Sequence, residues 1–331
     1  MAYVDLSDAE QIEVLRAAAL EAAGRFGLDV VRCEVTAHAY NTTFAVQTSA
    51  GTRYALRVGT NSHSTVSNVV AQQAWQRAIA ATTDVFVAEP VATPDDQWYV
   101  HADSEAFGRP LLVTAASWLD GPDIDELDAA ASYELGRTMA LLHQQSRGWA
   151  LPADGSMPRF ETPLFGDEDL LRSASGLKPA QREVVDQALE TTTAAFAAVY
   201  DGALVRPLHA DLHGGNLKWA GNRLAVFDFD DCGLGVPELD LAITTFYLRA
   251  GDPEPERALQ AGYGEVAPVP QVDPGHFEAM VAARQLLLAN SLLASTTSDL
   301  RAEAQRYLHV AVDRLGHWLQ TGVFTRQVPS T

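Results

Sequence analysis

Apolar positions recur at helical spacing across residues 5–26, with Leu15, Ala18, Ala19 and Ala22 on one stripe. Ser7 followed by Glu10 makes a capping-box pattern at the start of this helix, and Gly27 supplies a stop. The period then shortens. DVVRCEVTA (29–37), TTFAVQTS (42–49) and TRYALRVG (52–59) are β-branched or aromatic runs with partial alternation, separated by the turn-forming HAYN and SAG. This pattern predicts an antiparallel meander. Helical period returns over 66–81, with Val66, Val69, Val70, Ala74 and Ile79 on the buried side. Two further strands are expected at 97–102 and 109–118. LDGPDIDEL (119–127) mixes Gly, Pro and acids and reads as a connector. Beyond it the chain is mainly helical, at 129–146, 179–200, 237–250, 273–295 and 300–320. Two short apolar segments, 203–213 and 223–233, interrupt the helices. The expected class is α+β, with a β-rich lobe over 1–118 and a larger helical lobe over 119–331.

A length of 331 residues suits two lobes, each with its own core. Charge changes the picture more. Forty-three acidic against 23 basic side chains leave a net charge of −20. Such a field repels phosphate backbones and anionic lipids, which argues against nucleic-acid or membrane partners. Its plainest role is solubility, and it also favours a cationic small-molecule partner. Cys33 and Cys232 are too few and too far apart for a disulfide framework or a zinc finger. The opening MAYVDLSDAEQIEVL is polar and acidic, unlike a signal peptide, and no run approaches the roughly 20 apolar residues that span a bilayer. A cytoplasmic protein with reduced thiols is expected; oligomeric state is not legible.

The chemistry concentrates in LHADLHGGN, Leu208 to Asn216, and in the RLAVFDFDD that follows at 223–231. Asp211 and Asn216 lie on one loop, and KWAGNRLA reads as a hairpin turning at the Gly-Asn pair. A hairpin there returns Asp228 towards Asp211 and Asn216. An acid, an amide and a second acid at one point suit phosphoryl transfer, in which one carboxylate takes the proton of an attacking hydroxyl. The second carboxylate and the amide oxygen are hard ligands for Mg²⁺. Asp228 leaves an apolar strand, where an uncompensated charge is costly. A His/Asp metal site at His209, Asp211 and His213 is a weaker reading, because the other histidines show no ligand spacing.

The pattern His-x-Asp-x₄-Asn, then a strand ending in Asp-Phe-Asp, resembles the aminoglycoside phosphotransferase superfamily. That group is similar in fold to protein kinases and includes choline, homoserine and stress-response kinases. Its HGDLHxGN…IDFDD motif is matched by HADLHGGN…FDFDD, with Ala210 in the place of the usual Gly. LGRTMALLHQQS (135–146) and ELDLAI (238–243) resemble further elements of the family. The resemblance implies a bilobal kinase-like fold and ATP with Mg²⁺ as cofactors. It implies Asp211 as catalytic base and His209 as the residue ordering the catalytic loop. Asn216 and Asp228 become metal ligands, Asp230 a second metal contact or loop support, and Asp240 a brace for the loop backbone.

The N-terminal half departs from the family. Arg57 stands where a phosphate-binding Lys is usual, and Gln72 where its partner Glu belongs. No glycine-rich loop is present, and Asn41 and Thr42 occupy the corresponding turn as nucleotide contacts. On the acceptor side His213 is a candidate, as are Asp123, Asp125 and Glu126 of the connector, although such a charge run is ordinarily a solvated face. The expected activity is transfer of the γ-phosphate of ATP to a hydroxyl of an amino alcohol, an amino sugar or a homoserine-like acceptor. A stress-response-type protein Ser/Thr kinase and a nucleotide-binding pseudokinase are the rival readings.

Overall fold

In the computed structural model, residues 3–60, 65–124 and 126–328 are described. Helix α1 (Asp8–Arg25) starts as expected. The Ser7 hydroxyl accepts the Glu10 N–H, and the Glu10 carboxylate accepts the Ser7 N–H in return. Its buried stripe of Leu15, Ala18, Ala19 and Ala22 packs on Phe44, Leu56, Val58 and Val113. Each fully buried large side chain there contributes about 2 kcal/mol. Those partners belong to an antiparallel sheet built from β1 (Val30–His38), β2 (Asn41–Thr48) and β3 (Arg53–Gly59). Later strands β5 (Pro90–Val91), β6 (Val100–Ala102) and β7 (Leu111–Ser117) complete it. The order is β1-β2-β3-β7, with β5 and β6 both on the far side of β7. Register sets Thr43 opposite Arg57, and Arg57 opposite Thr114.

Helix α2 (Val66–Thr82) and the two-residue β4 (Phe86–Val87) precede β5 in the chain. Both pack with the helical half. Ala71, Trp75 and Ile79 share a core with Leu135, Met139 and Phe229, and Trp75 donates to Gln145 at 2.8 Å. Strand β4 runs parallel to β10 (Arg223–Val226). The expected division at 118/119 falls just after β7, yet α2 and β4 join the core beyond it.

Helices α3 (Ala129–Ser146) and α4 (Pro179–Tyr200) have the expected bounds. Only Arg206–Leu208 of segment 203–213 is a strand, β8, which pairs with β11 (Gly233–Gly235). The hairpin is formed by β9 (Leu217–Ala220) and β10, with Gly221 at φ +65 in its turn. Helices α5 (Pro237–Leu248), α6 (Glu254–Val266), α7 (Pro274–Ala294) and α8 (Ser298–Thr321) follow.

Helix α6 was not expected from the hydrophobic pattern. Its buried residues are Leu259, Gly262 and Tyr263, of which Leu259 and Tyr263 join the core of Leu135 and Met139. Close approach of backbones also holds the helix. A Cβ on Gly262 would collide with the Tyr133 carbonyl, and one on Gly136 with the Leu259 carbonyl. The α3–α6 crossing thus depends on two missing side chains. Gly262→Ala should lower stability by about 2–3 kcal/mol, the usual effect of overpacking a tight contact. Urea denaturation monitored by circular dichroism would read this as a lower midpoint at unchanged slope.

Candidate active site

The catalytic-type loop between β8 and β9 is fixed from below by Asp240 on α5. This fully buried carboxylate accepts the His209 N–H at 3.3 Å and the Ala210 N–H at 2.7 Å. It also accepts His143 Nε2–H at 3.0 Å, so His143 Nδ1 is left to accept the Tyr263 hydroxyl at 2.9 Å. Ala210 sits at φ +62, a left-handed conformation costing an L-residue about 1–2 kcal/mol. The two amide bonds to Asp240 over-determine the loop and hold that strain.

His209 is equally constrained. The Phe227 carbonyl can only accept and the Asp211 N–H can only donate, so Nε2 carries the proton at 3.0 Å and Nδ1 accepts at 3.3 Å. Burial lowers its pKa and keeps the ring neutral. His209 thereby ties the loop to the end of β10.

Above this base lies a cleft of about 770 Å³, lined among others by Arg57, Asp211, Asn216, Asp228 and Arg284. Asp211 is gripped from several sides. Asn216 Nδ2 donates to its carboxylate and to its backbone carbonyl, both at 2.9 Å. Arg284 ion-pairs with the other carboxylate oxygen, and His213 Nε2 stands 3.4 Å away. Burial alone would raise this acid, but Arg284 and His213 outweigh it and hold Asp211 well below the usual carboxylate range. The His213 ring stacks on Tyr247 at 4.4 Å and accepts the Gly215 N–H. A Cβ on Gly215 would stand 2.7 Å from that ring, so any larger residue there would displace His213.

Both Asn216 Nδ2 hydrogens are directed at Asp211, which leaves Oδ1 free of any donor among the described residues. Asp228, at φ +61 after β10, likewise has no hydrogen-bond or ion-pair partner among them. Asp228 is open to the cleft, where the neighbouring Asp211 raises its pKa and Arg57 opposes. An amide oxygen and an unpartnered carboxylate on one cleft floor are a donor set that fits a hard divalent cation.

Asp230 behaves differently from its expected role as a metal contact. It is ion-paired with Arg57 and accepts Asn41 Nδ2 at 2.6 Å and Gln72 Nε2 at 3.4 Å. Three residues expected to meet nucleotide are therefore directed at one carboxylate. Thr42 is a correction. It is fully buried and bonded to His38 at 2.8 Å, whereas its neighbour Thr43 lines the cleft. The alternation of β2 places the odd-numbered residue on the cleft face. The connector acids are a second correction. Asp123 is 71% exposed and salt-bridged to Lys218 at 2.5 Å, Glu126 faces solvent, and neither lines the cleft. Asp125 lies outside the described residues. Arg284 and Tyr247 were not anticipated. A lone cation within the apolar MVAARQLLLA of α7, 6% exposed, was the available signal for Arg284.

The architecture is that of a two-lobed kinase-like fold with its polar cleft at the lobe junction. The profile described as "Phosphotransferase enzyme family" matches residues 32–276, most of the chain. The chain belongs to that family. Among curated proteins, amicoumacin kinase of Bacillus subtilis (strain 168) is 25% identical over 228 residues, which are 68% of this chain and 66% of that protein. Among solved structures, a microcompartment-associated aminopropanol kinase superposes with a TM-score of 0.78 at 20% identity, covering 94% of this chain and 99% of that one. Amicoumacin kinase hAmiN, in complex with AMP-PNP, Ca²⁺ and Ami, gives 0.70 at 19% identity, covering 89% and 92%. A choline/ethanolamine kinase family protein from Mesorhizobium loti gives 0.61 at 18% identity, covering 95% of each chain. No helix of the described residues is long and apolar enough to cross a membrane.

Asp231 also lines this cleft and is open to solvent there.

Proposed function

We propose that this chain is an ATP- and Mg²⁺-dependent phosphotransferase that moves the γ-phosphate to a hydroxyl of a small molecule. The observation that carries this reading is the convergence of Asp211, Asn216 and Asp228 on one cleft beneath the sheet. An amino alcohol, an amino sugar or a homoserine-like compound is the acceptor class. The net charge of −20 favours the cationic members of that class at long range. Likeness to small-molecule kinases supports the class without naming its member. Cytoplasmic residence with both thiols reduced suits an enzyme that draws on ATP.

In this reading the acceptor hydroxyl donates to the Asp211 carboxylate. Arg284 and Asn216 hold that carboxylate ionised and in one orientation, which makes it a firm hydrogen-bond acceptor but a weak base. Phosphoryl transfer tolerates a weak base, because its transition state is loose and little proton transfer is needed early. Positioning of the hydroxyl is the larger part of the catalysis. Asn216 Oδ1 and Asp228 would hold Mg²⁺, which would neutralise charge on the transferred phosphate. Arg57 and Thr43 serve the nucleotide side, with Asp230 as the counter-ion that keeps Arg57 extended across the cleft. His209 and Asp240 order the loop without touching substrate.

Asp211→Asn should lower kcat at least about 100-fold while the affinity for ATP stays near wild type, the ordinary range for loss of a positioned proton acceptor. Asp228→Ala should weaken Mg-ATP binding itself. The measurements are ADP release across a panel of amino alcohols, amino sugars and homoserine, and thermal stabilisation by ATP with and without Mg²⁺. Undiminished turnover in the Asp211 variant would reject the assigned base.

A further inference from the structure

A second cavity, of about 480 Å³, opens behind the catalytic loop rather than in front of it. It lies where the end of α3 meets the segment leading into β8. Its walls include Arg147, Trp149, Leu151, Leu204, Val205 and Arg206. Leu204 is 84% exposed and Leu151 37% exposed, two of the few large apolar side chains left in water. Isolated exposed leucines need no explanation, but two of them on one concave wall beside a tryptophan form a patch.

The charges in this cavity run against the rest of the molecule. In a chain with 43 acidic and 23 basic side chains, two guanidiniums share the cavity. Among the described residues, neither has a carboxylate at ion-pair distance. Burial and the neighbouring Arg147 both bring the Arg206 pKa down, with Glu238 acting only weakly in the opposite direction. Arg147 caps the C-terminus of α3, where a cation is favoured, and that accounts for one of the two charges. It does not account for Arg206, whose recorded hydrogen bond is a long one, 3.4 Å, to the His143 carbonyl. Nor does it explain the leucines.

We propose that this cavity binds a small organic anion, with its carboxylate or phosphate headgroup between Arg147 and Arg206 and its apolar body against Trp149, Leu151 and Leu204. Paired guanidiniums suit a bidentate anion, and an apolar wall with a few convergent polar groups is the usual composition of a ligand site. The site is separate from the catalytic cleft and does not rest on the phosphotransferase reading. It is nonetheless close to that loop in the fold. Arg206 opens β8, which runs directly into His209, and it touches the backbone of His143, whose ring braces Asp240.

The test is isothermal titration of the full chain with octanoate, phenyl phosphate, inorganic phosphate and octylamine. Octanoate or phenyl phosphate should bind saturably, and the tighter of the two identifies the headgroup. Inorganic phosphate, lacking the apolar body, and octylamine, with the opposite charge, should bind at least tenfold more weakly. Arg147→Glu and Leu204→Asp lie at the surface and should each weaken binding at least tenfold with stabilisation by ATP unchanged; Leu204→Asp should keep the wild-type unfolding temperature, and Arg147→Glu should lower it only by the small amount expected of an acid at the end of α3. The proposal is overturned if neither organic anion saturates by about 10 mM, a concentration at which contacts worth more than a few kcal/mol would show. Octylamine binding as tightly as octanoate, or both variants binding like wild type, would overturn it equally.

Discussion

Everything in the catalytic-type loop hangs from one buried carboxylate. Asp240 has no contact with solvent, and its oxygens are spent on two backbone amides and one imidazole. A buried charge of this kind is tolerable only while every partner stays in place. That requirement propagates outward. His143 must present Nε2, so Tyr263 must satisfy Nδ1, and α6 must lie close enough to α3 for Tyr263 to reach. The bare backbones at Gly136 and Gly262 permit that distance. A loop containing a left-handed alanine is thus held by a chain of contacts running through three helices.

A second carboxylate does the corresponding work between the lobes. Gln72 stands where an acid would pair with the cation of β3, and on its own it leaves Arg57 without a counter-charge. Asp230 supplies that charge from the turn after β10, while Asn41 and Gln72 donate to the same group. The counter-charge of Arg57 thus comes from the turn that also carries Asp228 rather than from α2. Meander, helix and the turn after β10 are thereby tied at one point. The unusual residue pair at 57 and 72 is therefore compatible with an ordered cleft.

Local signals were the legible ones. The capping box at Ser7 and Glu10, the Gly-Asn turn of the hairpin, and the order of Asp211, Asn216 and Asp228 each lie within a short window; the structure displays the first two as expected and brings the last three to one cleft. What escaped depends on contacts distant in sequence. Arg284 meets Asp211 across 73 positions, and no period announces such an encounter. Helix α6 escaped although Leu259 and Tyr263 are buried, because part of its contact with α3 is made by Gly262, which carries no hydrophobic signal. Thr42 and Thr43 could not be told apart until strand register decided which of them faces the cleft. The connector acids illustrate the opposite error. Their charge drew notice, but charge without burial or geometry is the usual state of a surface.

Division of labour between elements has an evolutionary corollary. The Asp211 carboxylate, its Asn216 amide partner and their braces sit on a loop pinned by α3 and α5. The far wall of the cleft, including Leu287, Leu288 and Ser291, comes from α7. That wall can be resculpted one side chain at a time while Asp211 and Asn216 keep their places. Descendants of one such scaffold can exchange the molecules they modify without relearning how to modify them. Arg284 is the exception, because it projects from the mutable wall yet anchors Asp211, and so marks where diversification must stop.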